Sequence, residues 1–130
     1  MSDLRPRGIP VVLDGVERHF LFTLNIIDEI QDRYGKTLHE VIADLAKADG
    51  TEHTLRDLVV ILLNDEAQRM AKNPGEASMY PVVTEMEVGE MIGLDNYYTV
   101  MAAVLRAYGI SLPEPEEEDD PNRKSGQTNR

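Results

Sequence analysis

The segment Ile9-Pro10-Val11-Val12-Leu13-Asp14-Gly15-Val16-Glu17-Arg18-His19-Phe20-Leu21-Phe22 sets two apolar, β-branched runs on either side of an Asp-Gly pair. Both central residues of a type I′ turn need positive φ, which Asp and Gly tolerate, so this spacing predicts a two-stranded antiparallel hairpin. Alternation in the second run puts Val16, Arg18, Phe20 and Phe22 on one face and Glu17, His19 and Leu21 on the other. Phe20 and Phe22 are expected to face the rest of the chain. From Thr23 onward the apolar period changes from two to about 3.6, the mark of amphipathic helices.

Five helices are predicted. The first opens at Thr23 or Asn25, buries Ile26, Ile27, Ile30 and Tyr34, and stops at Gly35. The second opens with the capping box Thr37-Leu38-His39-Glu40, in which hydroxyl and carboxylate satisfy each other's orphan amides. It buries Leu38, Val41, Ile42 and Leu45 and stops at Asp49-Gly50. The third, from a Thr54 cap with Asp57 at its third position to about Lys72, is the central one. Leu55, Leu58, Val59, Leu62, Leu63, Ala67 and Met70 point inward, Ile61 widens the stripe, and Asn73-Pro74-Gly75 breaks it. After a loop to Val83, a second capping box, Thr84-Glu85-Met86-Glu87, opens a short helix carrying Val88, Met91 and Ile92 and ending near Gly93. Asp95 caps a fifth helix to Tyr108, with Gly109 as its stop. The expected class is mainly α (α+β), an N-terminal β-hairpin packed on a bundle of about five helices. Residues 9–112 form one domain, after a flexible N-terminus at 1–8. The stretch 113–130 reads as a disordered acidic and polar tail, because nothing from Glu114 onward supplies a core.

Charge and composition narrow the function. The 130 residues hold 24 Asp plus Glu against 13 Lys plus Arg, a net charge of −11. Six acids and three bases fall in 114–130, so that stretch carries −3 and residues 1–113 carry −8. The absence of Cys excludes disulfides, thiol catalysis, Cys-zinc sites and iron–sulfur clusters. No Trp, two Phe and an acid excess argue against nucleic acid, whose phosphates would be repelled and whose bases would lack stacking platforms. The longest apolar run, Leu58 to Leu63, is far short of the roughly 20 residues of a membrane helix. Arg5 and Arg7 precede no apolar stretch of signal-peptide length. The expected setting is cytoplasmic, with no membrane partner.

The motifs that could carry chemistry have simpler explanations. Gly35-Lys36-Thr37 ends like a phosphate-binding loop, but Ile30 stands where the earlier glycine belongs, and a helix stop followed by a helix cap accounts for it. His39-Glu40 opens like a zinc-protease motif, but Ala43 stands where the second histidine belongs. His19, His39 and His53 read as surface histidines on separate elements. Asp28, Glu29, Asp32, Asp65 and Glu66 read as solvated helix faces rather than catalytic carboxylates. No serine lies in a Gly-x-Ser-x-Gly turn. Gly89 and Gly93 form a Gly-x-x-x-Gly pair in which Gly93 serves as a helix cap. No catalytic, cofactor-binding or metal-ligating residue is assigned.

Two features remain as interaction surfaces. Met79-Tyr80-Pro81-Val82-Val83 is an apolar loop continued by Met86, Met91 and Met101, and flexible methionines suit grooves that accept helical partners. Filling gaps in a small core is the competing explanation. Tyr97 and Tyr98 lie about 100° apart on a helix, so both cannot point inward. The candidate partner-binding set is Met79, Tyr80, Val82, Met86, Met91, Tyr97 and Met101.

The hairpin phrase, followed by Thr23-Leu24-Asn25-Ile26-Ile27-Asp28-Glu29-Ile30-Gln31-Asp32-Arg33-Tyr34-Gly35, resembles the tail assembly chaperones of long-tailed bacteriophages and prophages. The likeness continues through Leu58-Val59-Val60-Ile61-Leu62-Leu63-Asn64-Asp65-Glu66-Ala67, the Thr84-to-Gly93 helix, Val104-Leu105-Arg106-Ala107-Tyr108-Gly109 and the charged tail, covering roughly 9–112. The resemblance implies a non-catalytic protein that binds the aggregation-prone tape measure protein, keeps it soluble and helps the tail tube protein polymerise around it. Such families also imply a frameshifted longer form as a further partner, and many copies on one filament favour a homo-oligomer. The alternative is an acidic regulator or nucleic-acid mimic that blocks a basic surface on a host protein. A small enzyme is a third reading, which a pocket of converging carboxylates and histidine would support.

Overall fold

Asp14 and Gly15 both take positive φ, 52° and 77°, and their turn joins β1 (Ile9–Leu13) to β2 (Val16–Phe20). The strands pair antiparallel with Leu13 opposite Val16, Val11 opposite Arg18 and Ile9 opposite Phe20. A two-residue turn makes its flanking pair hydrogen-bonded, so alternation puts Pro10 and His19 at a non-bonded pair. Pro10 therefore removes no ladder bond and blunts the free edge of β1. Gly8 precedes the ladder at φ 105°, where a Cβ would lie 2.4 Å from the Phe20 carbonyl oxygen, so the hairpin requires glycine there.

The computed structural model describes residues 8–47, 51–72 and 80–109. Among these, the hairpin is followed by α1 (Leu24–Tyr34), α2 (Leu38–Ala46), α3 (Glu52–Met70), α4 (Glu85–Met91) and α5 (Tyr97–Tyr108). The class is the expected one, a hairpin with five helices. The helix stop at Asp49-Gly50, the break at Asn73-Pro74-Gly75, Met79, the segment 1–7 and the acidic tail lie outside the described residues.

Local signals set most helix ends. Thr23 caps α1 by accepting from the Ile26 amide, and Gly35 ends it in the left-handed conformation. Thr37 and Thr84 both form complete capping boxes, with Glu40 and Glu87. The Lys36 ammonium lies 2.7 Å from Asp44 Oδ2, so the Gly-Lys-Thr sequence is a helix stop, an ion pair and a helix cap. That pairing raises the pKa of Lys36 and lowers that of Asp44.

Three boundaries differ from expectation. Helix α3 starts at Glu52 after Thr51, whose side chain makes no cap bond. Thr54 thus lies inside the first turn, and Asp57 is turned inward, where its Oδ2 accepts from the Tyr34 hydroxyl at 3.0 Å. Helix α4 ends with Ile92 as its cap residue rather than Gly93. Asn96, not Asp95, precedes α5, and its side chain closes the α4–α5 turn by accepting from the Gly93 amide and donating to the Met91 carbonyl.

The core centres on α3, whose Leu55, Leu58, Val59, Ile61, Leu62, Leu63 and Ala67 are buried. β2 and α4 pack on α3, and β1 packs on α5. Phe20, Ile30, Leu45 and Val88 close the interior from the other elements. Phe22 meets Tyr108 edge-on at 6.1 Å, a favoured aromatic geometry.

One polar cluster lies within this packing, and it overturns the solvated reading of Glu66 and the surface reading of His19. Glu66 is 1% exposed. Its Oε1 accepts from Arg18 Nε at 2.8 Å and from the His19 amide at 3.3 Å, while Oε2 is 2.8 Å from His19 Nδ1. That amide points out of the hairpin, so the carboxylate takes the place of a next strand along the β2 edge. Arg18 also donates to the Leu63 carbonyl and lies over the Tyr80 ring at 5.3 Å. His19 Nε2 faces the exposed Glu17 carboxylate at 3.1 Å.

Candidate functional site

The α3, α4 and α5 segments enclose an apolar groove of about 480 Å³. Glu52, His53, Leu55 and Arg56 form its α3 wall, Gly89 and Ile92 its α4 wall, and Gly93, Leu94 and Tyr97 its end at the start of α5. Gly89 keeps the groove open. A Cβ there would only just touch Arg56 Cδ, at 3.7 Å, and a longer side chain would project into the space. Arg56 stands at the mouth, with Nη2 3.8 Å from Glu85 Oε1 and 3.1 Å from His53 Nδ1.

The expected partner-binding residues separate into three groups. Tyr97 is half-buried and lines the groove. Met86 is 74% exposed and lies about 60° around α4 from Gly89 and about 120° from Ile92 at 100° per residue, outside the groove's lining. Val82 is exposed just before the Thr84 cap. Tyr80 and Met101 belong elsewhere, at 8% and 4% exposure. Tyr80 is covered through Arg18, and Met101 is in the core with Val100 and Val104, so neither offers a side chain to a partner. Met91 is half-buried against the same core. The two tyrosines at the start of α5 divide as their angular separation requires, with Tyr98 exposed.

Leu94 and Ile92 were missed as site residues, and Leu55 was read as core alone. Leu94 is fully exposed at 100%, and an unpaired leucine in the Gly93-to-Asn96 turn was the available signal. Residues 84–98 contain Glu85, Glu87, Glu90 and Asp95 and no Lys or Arg. All four acids are exposed, and the charged side chains that line the groove are Glu52, His53 and Arg56.

Polar contacts elsewhere hold the fold, although among the described residues the buried Thr51 Oγ1 and Asp57 Oδ1 make no hydrogen bond. Both Glu66 oxygens are occupied by Arg18 and His19. Tyr34 is pushed up to about 12 by burial first, then by its hydrogen bond to Asp57 and the charge of that carboxylate. His39 faces the Tyr108 hydroxyl at 3.2 Å, so the three histidines stay on separate elements. Among the described residues no group of three or more His, Asp and Glu side chains is arranged to hold a metal ion, and no helix is long and apolar enough to cross a membrane. A smaller space of about 300 Å³ between α1 and α3 is lined mainly by polar residues, including Asn25, Glu29, Arg33 and Gln68. Comparisons with protein-family models, with curated proteins and with solved structures give no match.

Proposed function

We propose that this chain is a non-catalytic tail assembly chaperone of a long-tailed phage or prophage, acting in the bacterial host cytoplasm. It binds the tape measure protein, keeps it soluble and aids assembly of the tail tube. The supporting observation is the apolar groove with fully exposed Leu94 in its lining, set on a chain of net charge −11. A long helical protein exposes an apolar stripe until the tube encloses it, and a chaperone needs a matching apolar surface on a charged, soluble body. The exposed carboxylates are spread over Asp28, Glu29 and Asp32 of α1, Glu40 of α2 and Glu85, Glu87 and Glu90 of α4, whereas a nucleic-acid mimic would gather them on one face.

Co-expression with a candidate tape measure protein tests the reading. The chain should raise the soluble fraction of that protein and co-purify with it in moderate salt. Val82→Ser/Met86→Ser/Leu94→Ser, all at exposed positions, should lose co-purification while keeping the helical circular dichroism of the parent. Full retention by that variant would refute the site, and no gain in solubility with the parent chain would refute the function.

A further inference from the structure

We infer that the α3–α4–α5 groove binds a small apolar carboxylic acid, with its hydrocarbon body between Leu55, Ile92 and Tyr97 and its carboxylate on Arg56; this goes beyond the chaperone reading and does not rest on it. The cavity has the size for such a ligand, since about 480 Å³ falls within the roughly 300–1,000 Å³ of small-molecule sites. Its walls have the matching chemistry. Leu55, Ile92, Leu94 and Tyr97 supply apolar surface, and Arg56 supplies a permanent positive charge. An apolar body with one anionic end satisfies both.

Arg56 holds hydrogen-bonding capacity that the fold does not use. Its side chain is partly buried, and Nη2 donates one hydrogen to His53 Nδ1 at 3.1 Å. Glu85 Oε1, 3.8 Å from Nη2, is too far for a hydrogen bond. Nε is buried and makes no hydrogen bond among the described residues. Nη1 lies 3.9 Å from the point where a Gly89 Cβ would stand, so the missing side chain leaves that nitrogen facing the groove. With Nη1 and one Nη2 hydrogen unspent, the planar guanidinium can give a carboxylate two parallel bonds. An amine would have a weaker anchor. Glu52, the carboxylate of the lining, is exposed, and an ammonium gains little from a hydrated surface acid.

The guanidinium is also held in place before any ligand enters. Arginine cannot accept a hydrogen bond, so His53 accepts at Nδ1 and carries its proton on Nε2, which faces Asp57 Oδ2 at 3.4 Å. Asp57 is buried and accepts from the Tyr34 hydroxyl at 3.0 Å. Contacts thus run from Tyr34 of α1 through Asp57 and His53 to Arg56, and a cation fixed in this way loses little freedom on binding.

The test uses the full chain and three probes that share one alkyl chain: octanoate, octylammonium and octanol. Binding is followed by calorimetry and by the nuclear magnetic resonance shifts of Leu and Ile methyl groups. Octanoate should move Leu55, Ile92 and Leu94 and bind at least about tenfold tighter than either other probe. Arg56→Met keeps an unbranched apolar stem and should weaken octanoate at least about tenfold while leaving octanol unchanged, a split that a general loss of structure would not give. Gly89→Leu fills the cavity at a helical position where a Cβ meets Arg56 Cδ only at 3.7 Å. It should weaken octanoate and octanol alike with unchanged circular dichroism. Glu85→Gln removes a competing carboxylate and should tighten octanoate by about twofold or more. No binding of octanoate, equal binding of octanol or octylammonium, or undiminished octanoate binding by Arg56→Met or Gly89→Leu overturns the inference. The two readings fail separately. Capture of the tape measure protein by a chain that does not bind octanoate removes the acid site and leaves the chaperone. Octanoate binding without capture leaves the acid site and removes the chaperone.

Discussion

Replacing Glu66 with methionine should be among the most damaging single substitutions in this protein. The side chain is buried on α3 and accepts from Arg18 Nε at 2.8 Å and from the His19 amide at 3.3 Å, with His19 Nδ1 2.8 Å from its second oxygen. Methionine fills the volume but leaves the Arg18 guanidinium buried without its counter-ion, a change that costs about 3–5 kcal/mol. That is a large share of the roughly 5–15 kcal/mol that holds a domain folded. With a urea m-value of about 1.5 kcal/mol per molar, the midpoint should fall by about 2–3 M. The partner substitution supplies the discriminating result. In Arg18→Met/Glu66→Met no unpaired guanidinium remains, and the residual loss is dominated by the orphaned His19 amide, about 1–3 kcal/mol. The double variant should therefore be more stable than Glu66→Met alone, by about 2 kcal/mol. Urea unfolding followed by far-ultraviolet circular dichroism measures all four corners of the cycle, since the chain has no Trp to report by fluorescence. A loss below about 1 kcal/mol for Glu66→Met, or additive losses in the double variant, would refute the account of the cluster.

Two further outcomes follow from polar contacts on α1 and α3. Absorbance titration of the five tyrosines should resolve one ionising near pH 12, absent in Tyr34→Phe. Tyr34 has its folded pKa raised above the ordinary 10.0, so its contribution to stability is fully present below pH 10 and is lost as pH rises toward 12, because the unfolded chain releases the proton first. All five tyrosines titrating together would contradict the Tyr34–Asp57 bond. Asn64 accepts from the Val83 amide at 2.7 Å and donates to the Val83 carbonyl at 3.0 Å. Asn64→Ala should cost about 1–3 kcal/mol for these two buried backbone groups and should speed amide exchange in α4 more than in α2; uniform exchange would contradict the clamp.

The legible parts of the fold were those whose causes lie within four residues. Both capping boxes, the left-handed stops at Gly35 and Gly109 and the Asp14-Gly15 turn are local solutions, and each could be read directly from spacing. Where a distant partner intervened, local rules misled. Thr54 and Asp57 match a capping pattern, yet Asp57 is drawn inward by Tyr34, 23 residues earlier. Glu66 follows Asp65 on what reads as a polar face, and its partner Arg18 is 48 residues away. Strand alternation sends His19 to the solvent side, but α3 covers that edge of the hairpin, and period two carries no information about what lies beside a strand. The groove was least legible of all. Its walls come from 52–56 and 89–97, and methionine content drew attention to Met101, which the α5 stripe already required as core.

The polar residues of α3 and the apolar groove are two parts of one device. Arg18, held by Glu66, lies over Tyr80, four residues before the Thr84 cap of α4. Three residues later Asn64 grips both backbone groups of Val83, and Thr84 then caps α4. The same helix that supplies Leu55 and Arg56 to the groove thus fixes, through Asn64 and Glu66, the path that delivers Gly89 and Ile92 opposite them. A groove whose walls are set before binding loses less conformational freedom on capture than one assembled around its ligand. That rigidity is placed in the walls, while Leu94 in the connecting turn is fully exposed. Buried polar contacts on α3 therefore fix the walls of the groove independently of any occupant.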